Sequence, residues 1–204
     1  MKIGILVECG RMGLEDVMCR RICELLQAER NMRFDVDIVP MVNKALLVED
    51  CGTTAQRLLD DGCDRVVILW DERPAWPKKD EPLCWHIERE KVLAELRKAG
   101  LTRRPVFLVC IEREFESWLL FDGRIISCVL STPAHRIRVK PPRRPDRIKN
   151  PKGVMNSLFE KHRGRRYVDV QYARDFANCL QDLSRLRDCE TFRRFESKVT
   201  GRKN

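Results

Sequence analysis

The 204-residue chain has no apolar run approaching the roughly 18 to 20 residues of a membrane span. Its start, Met1-Lys2-Ile3-Gly4-Ile5-Leu6-Val7-Glu8, breaks a short apolar stretch with an acid. A secretory leader needs a longer stretch and a small-residue cleavage site, so a cytoplasmic protein is expected. Histidine is scarce, and His86, His135 and His162 show no metal-ligand spacing. There is no Gly-x-Gly-x-x-Gly and no Gly-x-x-x-x-Gly-Lys-[Ser/Thr], which excludes a Rossmann dinucleotide fingerprint and a P-loop. Nor is there a Cys-x-x-Cys pair. The ten cysteines (9, 19, 23, 51, 63, 84, 110, 128, 179 and 189) are scattered, several at apolar-periodic positions. They are expected to act as small buried hydrophobes, not as zinc ligands or a disulfide framework. What is present is 43% apolar residues in a length able to bury roughly 70% of the unfolded chain's surface. A single domain, 1–204, is the expectation.

The positive charge is concentrated. The chain carries a net +9, yet residues 124–166 hold thirteen Lys and Arg against Asp146 and Glu160, an excess of +11 that leaves −2 for the remainder. Pro141, Pro142, Pro145 and Pro151 forbid a continuous helix through its 136–152 part. A basic, proline-stiffened insertion on an acidic body points to polyanion contact, DNA or RNA, through the backbone phosphates. The candidate contacts are Arg136, Arg138, Lys140, Arg143, Arg144, Arg147, Lys149 and Lys152.

Apolar, β-favouring runs predict strands at 2–7, 65–70 and 105–111, and the alternation of Phe34, Val36 and Ile38 with Asp35 and Asp37 predicts one at 34–39. Helical spacing predicts helices at 14–29, 53–61, 84–98, 113–121, 151–162, 172–186 and 190–198. Alternating strands and helices imply a mainly parallel sheet of about four strands sandwiched by helices. Within the single domain, 1–123 reads as the α/β core, 124–166 as the basic insertion and 167–200 as helices packed on the core.

In an open α/β sheet, sites gather beyond the carboxyl ends of the strands. Acids stand at three such ends: Glu8 after Val7, Asp71 after Trp70, and Glu112 after Ile111, with Glu116 one helical turn further on. Converging carboxylates repel unless a proton or cation lies between them, and hard oxygen donors select Mg²⁺ or Mn²⁺. Such an ion beside a phosphate-binding surface suits phosphodiester hydrolysis. Arg73 would neutralise a phosphate as a two-pronged donor or pair with Asp71.

These residues also carry a resemblance. Ile5-Leu6-Val7-Glu8, a glycine turn and a helix resemble the first motif of Toprim-type domains, and Val66–Trp70 ending in Asp71 resembles their second. Glu112-Arg113-Glu114-Phe115-Glu116-Ser117-Trp118-Leu119-Leu120-Phe121-Asp122 is similar to a signature of an uncharacterised bacterial and archaeal family of Toprim-like proteins, as are Asn150-Pro151-Lys152-Gly153 and Cys189-Glu190-Thr191-Phe192-Arg193-Arg194-Phe195. The resemblance implies a Toprim-like (Rossmannoid) α/β fold and Mg²⁺-dependent nucleic-acid cleavage, in a phage-defence or mobile-element setting with an ATPase partner. It implies Glu8 as general base or metal-linked acid, with Asp71 and Glu116 as metal-site acids. Two departures stand out: Cys9 intervenes before Gly10, and the Asp-x-Asp of the second motif reads Asp71-Glu72-Arg73. Glu72 or Asp80 then supplies the missing ligand, one metal suffices, or the site is degenerate and the chain is a non-catalytic nucleic-acid-binding subunit.

Overall fold

A computed structural model of the protein describes residues 1–72 and 85–201, the side chains of 85–87 excepted. Arg73, Asp80 and the expected helix start at Cys84 therefore lie outside the described residues. The strands are β1 (Lys2–Val7), β2 (Asp35–Pro40), β3 (Arg65–Asp71) and β4 (Val106–Ile111). The helices are α1 (Leu14–Arg30), α2 (Lys44–Asp60), α3 (Trp85–Lys98), α4 (Glu116–Leu120), α5 (Gly123–Leu130), α6 (Pro151–Arg163), α7 (Asp169–Cys179) and α8 (Glu190–Thr200). The strands form one sheet in the order β2-β1-β3-β4, and every pairing is parallel. This is the expected three-layer α/β architecture.

Strand alternation distributes the core between two faces. Ile3, Ile5 and Val7 of β1 and Val67 and Leu69 of β3 point to the face covered by α1 and the helices that follow β4. Leu6, Val66, Ile68 and Trp70 point to the other face, under Leu47, Leu58, Val92 and Leu96 of α2 and α3. The chain runs from β1 through α1 to β2 on one side, then crosses back through α2 to β3 on the other. The topological reversal therefore lies between β1 and β3, where a crevice opens at the strands' carboxyl ends.

Several local expectations are corrected. Helix α2 starts at Lys44, nine residues before the predicted start, because Asn43 caps it by accepting from the Leu46 N–H at 3.0 Å. The helix predicted over 113–121 is only α4, since Arg113 sits in the left-handed region with φ 73°. Asp122 then caps a separate α5, accepting from the Arg124 N–H at 2.9 Å, so the basic insertion begins as helix. The helix predicted over 172–186 ends at Cys179, where Asp182 accepts from the Ser184 N–H at 3.0 Å and turns the chain. The expectation that no cysteine would be bridged fails at one pair: Cys128 of α5 and Cys179 of α7 form a disulfide, while seven other described cysteines are unbridged. Packing of α5 against α7 brings these two thiols together from 51 residues apart. Among the described residues no helix is long and apolar enough to cross a membrane.

The signature-like stretches meet in the core. Trp118 packs on Phe115, Phe192 and Phe195 with ring centroids 4.9 to 5.5 Å apart, and its indole N–H donates to Thr191 Oγ1 at 2.8 Å. Trp118 thus joins α4 to Thr191, Phe192 and Phe195 of α8.

Candidate functional site

Glu8 is the first residue past β1 and Asp71 the last of β3, so the crevice at the reversal holds both. The Asp71 N–H donates to Glu8 Oε2 at 3.0 Å. The Gly10–Gly13 turn then brings α1 down beside them. A side chain at Gly13 would place its Cβ 2.7 Å from Cys9 Cβ, so the turn closes only with glycine there. The first turn of α1 delivers Glu15, while its neighbour Asp16 turns aside, accepting from the Met12 N–H at 3.0 Å and pairing with Arg20 at 2.9 Å. Glu116 enters from the start of α4. Glu8, Glu15, Asp71 and Glu116 line one cavity of about 690 Å³, together with Glu114, Asp169, Arg11, Lys44, Lys152 and Arg166.

Two ammonium groups stand among these acids. Lys44, at the start of α2, donates through Nζ to the Asp71 carbonyl and lies 3.4 Å from Glu88. Lys152, at the start of α6, lies 2.6 Å from Asp169 and 3.9 Å from Glu116, and its backbone N–H donates to Glu114 Oε2 at 2.9 Å. The compensation is partial. Asp71 is 9% exposed and Glu116 4%. Burial lifts the Glu8 carboxyl to about 7, against the opposing pull of Lys44 and the Asp71 N–H. Burial lifts Glu116 to about 8, with Lys152 opposing and Glu15 adding repulsion. Asp71 is raised by burial and then by the charges of Glu8, Glu15 and Glu116, and Glu15 is raised mainly by burial. At neutral pH this cavity therefore holds protons, or takes up a cation in their place.

Of the expected site residues, Glu8, Asp71, Glu116 and Lys152 meet here. Glu72 does not: its Oε2 accepts from the Arg113 N–H at 3.2 Å and lies 3.5 Å from the Arg113 guanidinium, in a separate cavity that Glu112 also lines. Arg138, Lys140 and Arg143 line another cavity, of about 810 Å³, with Pro141, Arg185 and Asp188. Arg136, Arg144, Arg147 and Lys149 are exposed. Among the described residues none of these seven forms an ion pair. The 136–152 loop reaches the acidic cavity at its end, through Lys152, and Arg166, the last cation of the basic insertion, lines it as well. Glu15 and Lys44 were missed from sequence. Glu15 continues the buried stripe of Cys19, Ile22 and Leu26, which is a signal; Lys44 has none, since it arrives on a long side chain from a helix start that the sequence hides.

The four carboxylates are hard oxygen donors that fit Mg²⁺ or Mn²⁺, and the one thiol lining the cavity, Cys9, is pushed up by burial and stays protonated. Among the described residues no three His, Cys, Asp or Glu side chains are gathered closely enough to hold a metal ion as they stand. Mg²⁺ does not require that: it is commonly held by one or two carboxylates with water and substrate phosphate completing the shell. Comparison with protein-family models, curated proteins and solved structures found no match to this chain.

Proposed function

We propose that the protein is a Toprim-like, Mg²⁺- or Mn²⁺-dependent hydrolase of nucleic-acid phosphodiesters. The observation that carries this reading is the convergence of Glu8, Glu15, Asp71 and Glu116, from separate elements, on one cavity at the sheet's topological reversal. Glu8, Asp71 and Glu116 would hold the ion, which supplies charge neutralisation at the phosphate and a more acidic water. With its carboxyl near 7, Glu8 is divided between charged and protonated forms at neutrality. Where Glu8 stands off the ion it is suited to take a proton from an attacking water; where it holds the ion it stays charged and serves as a ligand. Lys152 holds Glu116 and Asp169 in place, and the exposed cations between Arg136 and Lys149 supply contacts to the flanking phosphates.

The test is cleavage of plasmid and oligonucleotide with Mg²⁺ or Mn²⁺ by the wild type and by Asp71→Asn, alone and with an ATPase partner. Cleavage by the wild type alone supports the reading. Equal cleavage by both, or none by either, refutes it.

One set of contacts favours a second reading. Lys44 and Lys152 already stand among the acids, and Glu72 is held away by Arg113. A non-catalytic nucleic-acid-binding subunit, working beside an ATPase, would keep such internal cations permanently. Its binding of DNA or RNA would be the same in EDTA as with Mg²⁺, no cleavage would follow, and Asp71→Asn would change neither.

A further inference from the structure

Among the described residues the exposed large hydrophobic side chains are Met1, Met12, Val42, Leu46, Val168 and Val170. Three of them stand at the mouth of the acidic cavity. Val42, Val168 and Val170 line it, and Met12 lies between the lining residues Arg11 and Gly13. Scattered exposed hydrophobes are ordinary on a protein surface; three lining one rim, with Met12 beside them in the chain, are a patch.

The backbone adds an independent observation. Met12 and Val42 both adopt left-handed conformations, with φ 62° and 71°. Such a conformation is costly for a side chain with a Cβ, most of all a β-branched one, and Val42 is 64% exposed, so no core packing repays it. The two loops are tied together by the Val42 N–H donating to the Cys9 carbonyl at 3.0 Å. Costly backbone that presents apolar side chains to solvent beside a cavity points to use of those side chains. Arg11 and Arg166 are exposed at the same rim and form no ion pair among the described residues.

Resting on the phosphodiester reading, we propose that this rim selects a nucleic-acid strand whose bases are unpaired. The acids lie at the bottom of a recess, Asp71 and Glu116 almost fully buried, and a duplex exposes its phosphates on the outside of a stiff, wide rod. A single strand bends into a recess and turns its base faces outward. The aliphatic collar covers those faces, as apolar side chains do for extruded bases, while Arg11 and Arg166 meet the neighbouring phosphates. The basic loop, whose contacts are to phosphate alone, serves either form of strand.

The test is fluorescence anisotropy in EDTA, with a labelled oligonucleotide presented single-stranded or annealed to its complement. The wild type binds the single strand at least roughly tenfold more tightly. Val168→Ser/Val170→Ser removes most of that preference and leaves duplex binding unchanged. Val42→Gly gives a second, opposed signature: it relieves the backbone, so the chain unfolds at a higher temperature, yet it binds the single strand more weakly. Equal binding of both forms by the wild type overturns the proposal, as does an equal loss for both forms in the collar variants. Binding of neither form, in EDTA or with Ca²⁺ in place of Mg²⁺, fails the phosphodiester reading itself and takes this inference with it.

Discussion

Glu116 offers the sharpest test of the electrostatics. Its carboxyl is 4% exposed, and burial moves it from an ordinary 4.5 to about 8. Between those values the folded chain keeps a proton that the unfolded chain has released, so folding stability falls as pH rises through this range and the whole penalty is present above it. At ~1.4 kcal/mol per pH unit, the shift sets a ceiling of roughly 5 kcal/mol. Relaxation of the cavity and entry of water should reduce this to about 2 to 3 kcal/mol. Glu116→Gln keeps the shape and fixes the neutral state. Lys152, 3.9 Å away, loses a charge partner but retains Asp169 at 2.6 Å, so its ammonium is not stranded. The variant should match the wild type near pH ~5 and exceed it near pH ~9, by roughly 5 to 10 °C in Tm for a chain of this size. Thermal unfolding followed by circular dichroism, in EDTA across that range, reads the difference. Adding Mg²⁺ at the alkaline end should raise the wild-type Tm and move the variant less. A wild-type Tm that stays level with pH, or a variant less stable than the wild type at the alkaline end, refutes the reasoning.

Three other outcomes are expected. Reducing the Cys128–Cys179 bridge, which spans 51 residues, should cost about 2 to 4 kcal/mol, seen as a Tm lowered by dithiothreitol in the wild type and insensitive to it in Cys128→Ser. At Gly52 an added Cβ would stand 2.5 Å from the Glu95 carbonyl oxygen, so Gly52→Ala should force α2 and α3 apart and lower the urea midpoint by the equivalent of about 1 to 3 kcal/mol; an unchanged midpoint would show that the helix crossing gives freely. Arg143→Ala/Arg144→Ala/Arg147→Ala removes exposed charges, so it should leave folding intact and reduce the salt dependence of nucleic-acid binding by about 0.7 to 0.9 in log–log slope for every phosphate that is no longer neutralised. The same slope in both proteins would dismiss the loop as a binding surface.

The central strands β1 and β3 were legible because they are buried on both faces and so read as continuous apolar runs, while edge strand β2 was legible from alternation; 65–71 and 106–111 differ from the expected spans by a single residue each. Helix ends were legible only where periodicity and caps agreed. The early turns of α2 were hidden because Leu46 and Val48 face outward or sit half-buried, which blurs the apolar stripe. The break at Cys179 was hidden because Leu180, Leu183 and Leu186 keep helical spacing while packing as irregular chain, all fully buried. Spacing reports which side chains go inward, not the backbone path that takes them there. The same ambiguity touches Trp118 and Phe192, whose prominence within signature-like stretches comes from core packing.

The acids show what decides between a structural and a functional carboxylate. Glu8 and Asp71 were readable from a topological rule that needs only the strand ends; the same rule selects Glu112, which lines another cavity, and the site acid is Glu116, at the start of the next helix. Glu15 and Asp16 are neighbours in the first turn of one helix, where any acid is welcome at the positive end of the dipole. Helical phase separates them. Asp16 is followed at i+4 by Arg20, and it folds back onto its own loop and that cation. Glu15 is followed at i+4, i+7 and i+11 by Cys19, Ile22 and Leu26, all fully buried, so its stripe runs into the core and emerges over the carboxyl end of β1. An acid placed there has no cation of its own on the helix and meets the carboxylates of other elements instead. Its burial is tolerable only with a proton or a cation from outside the helix, and that dependence makes Glu15 part of the site.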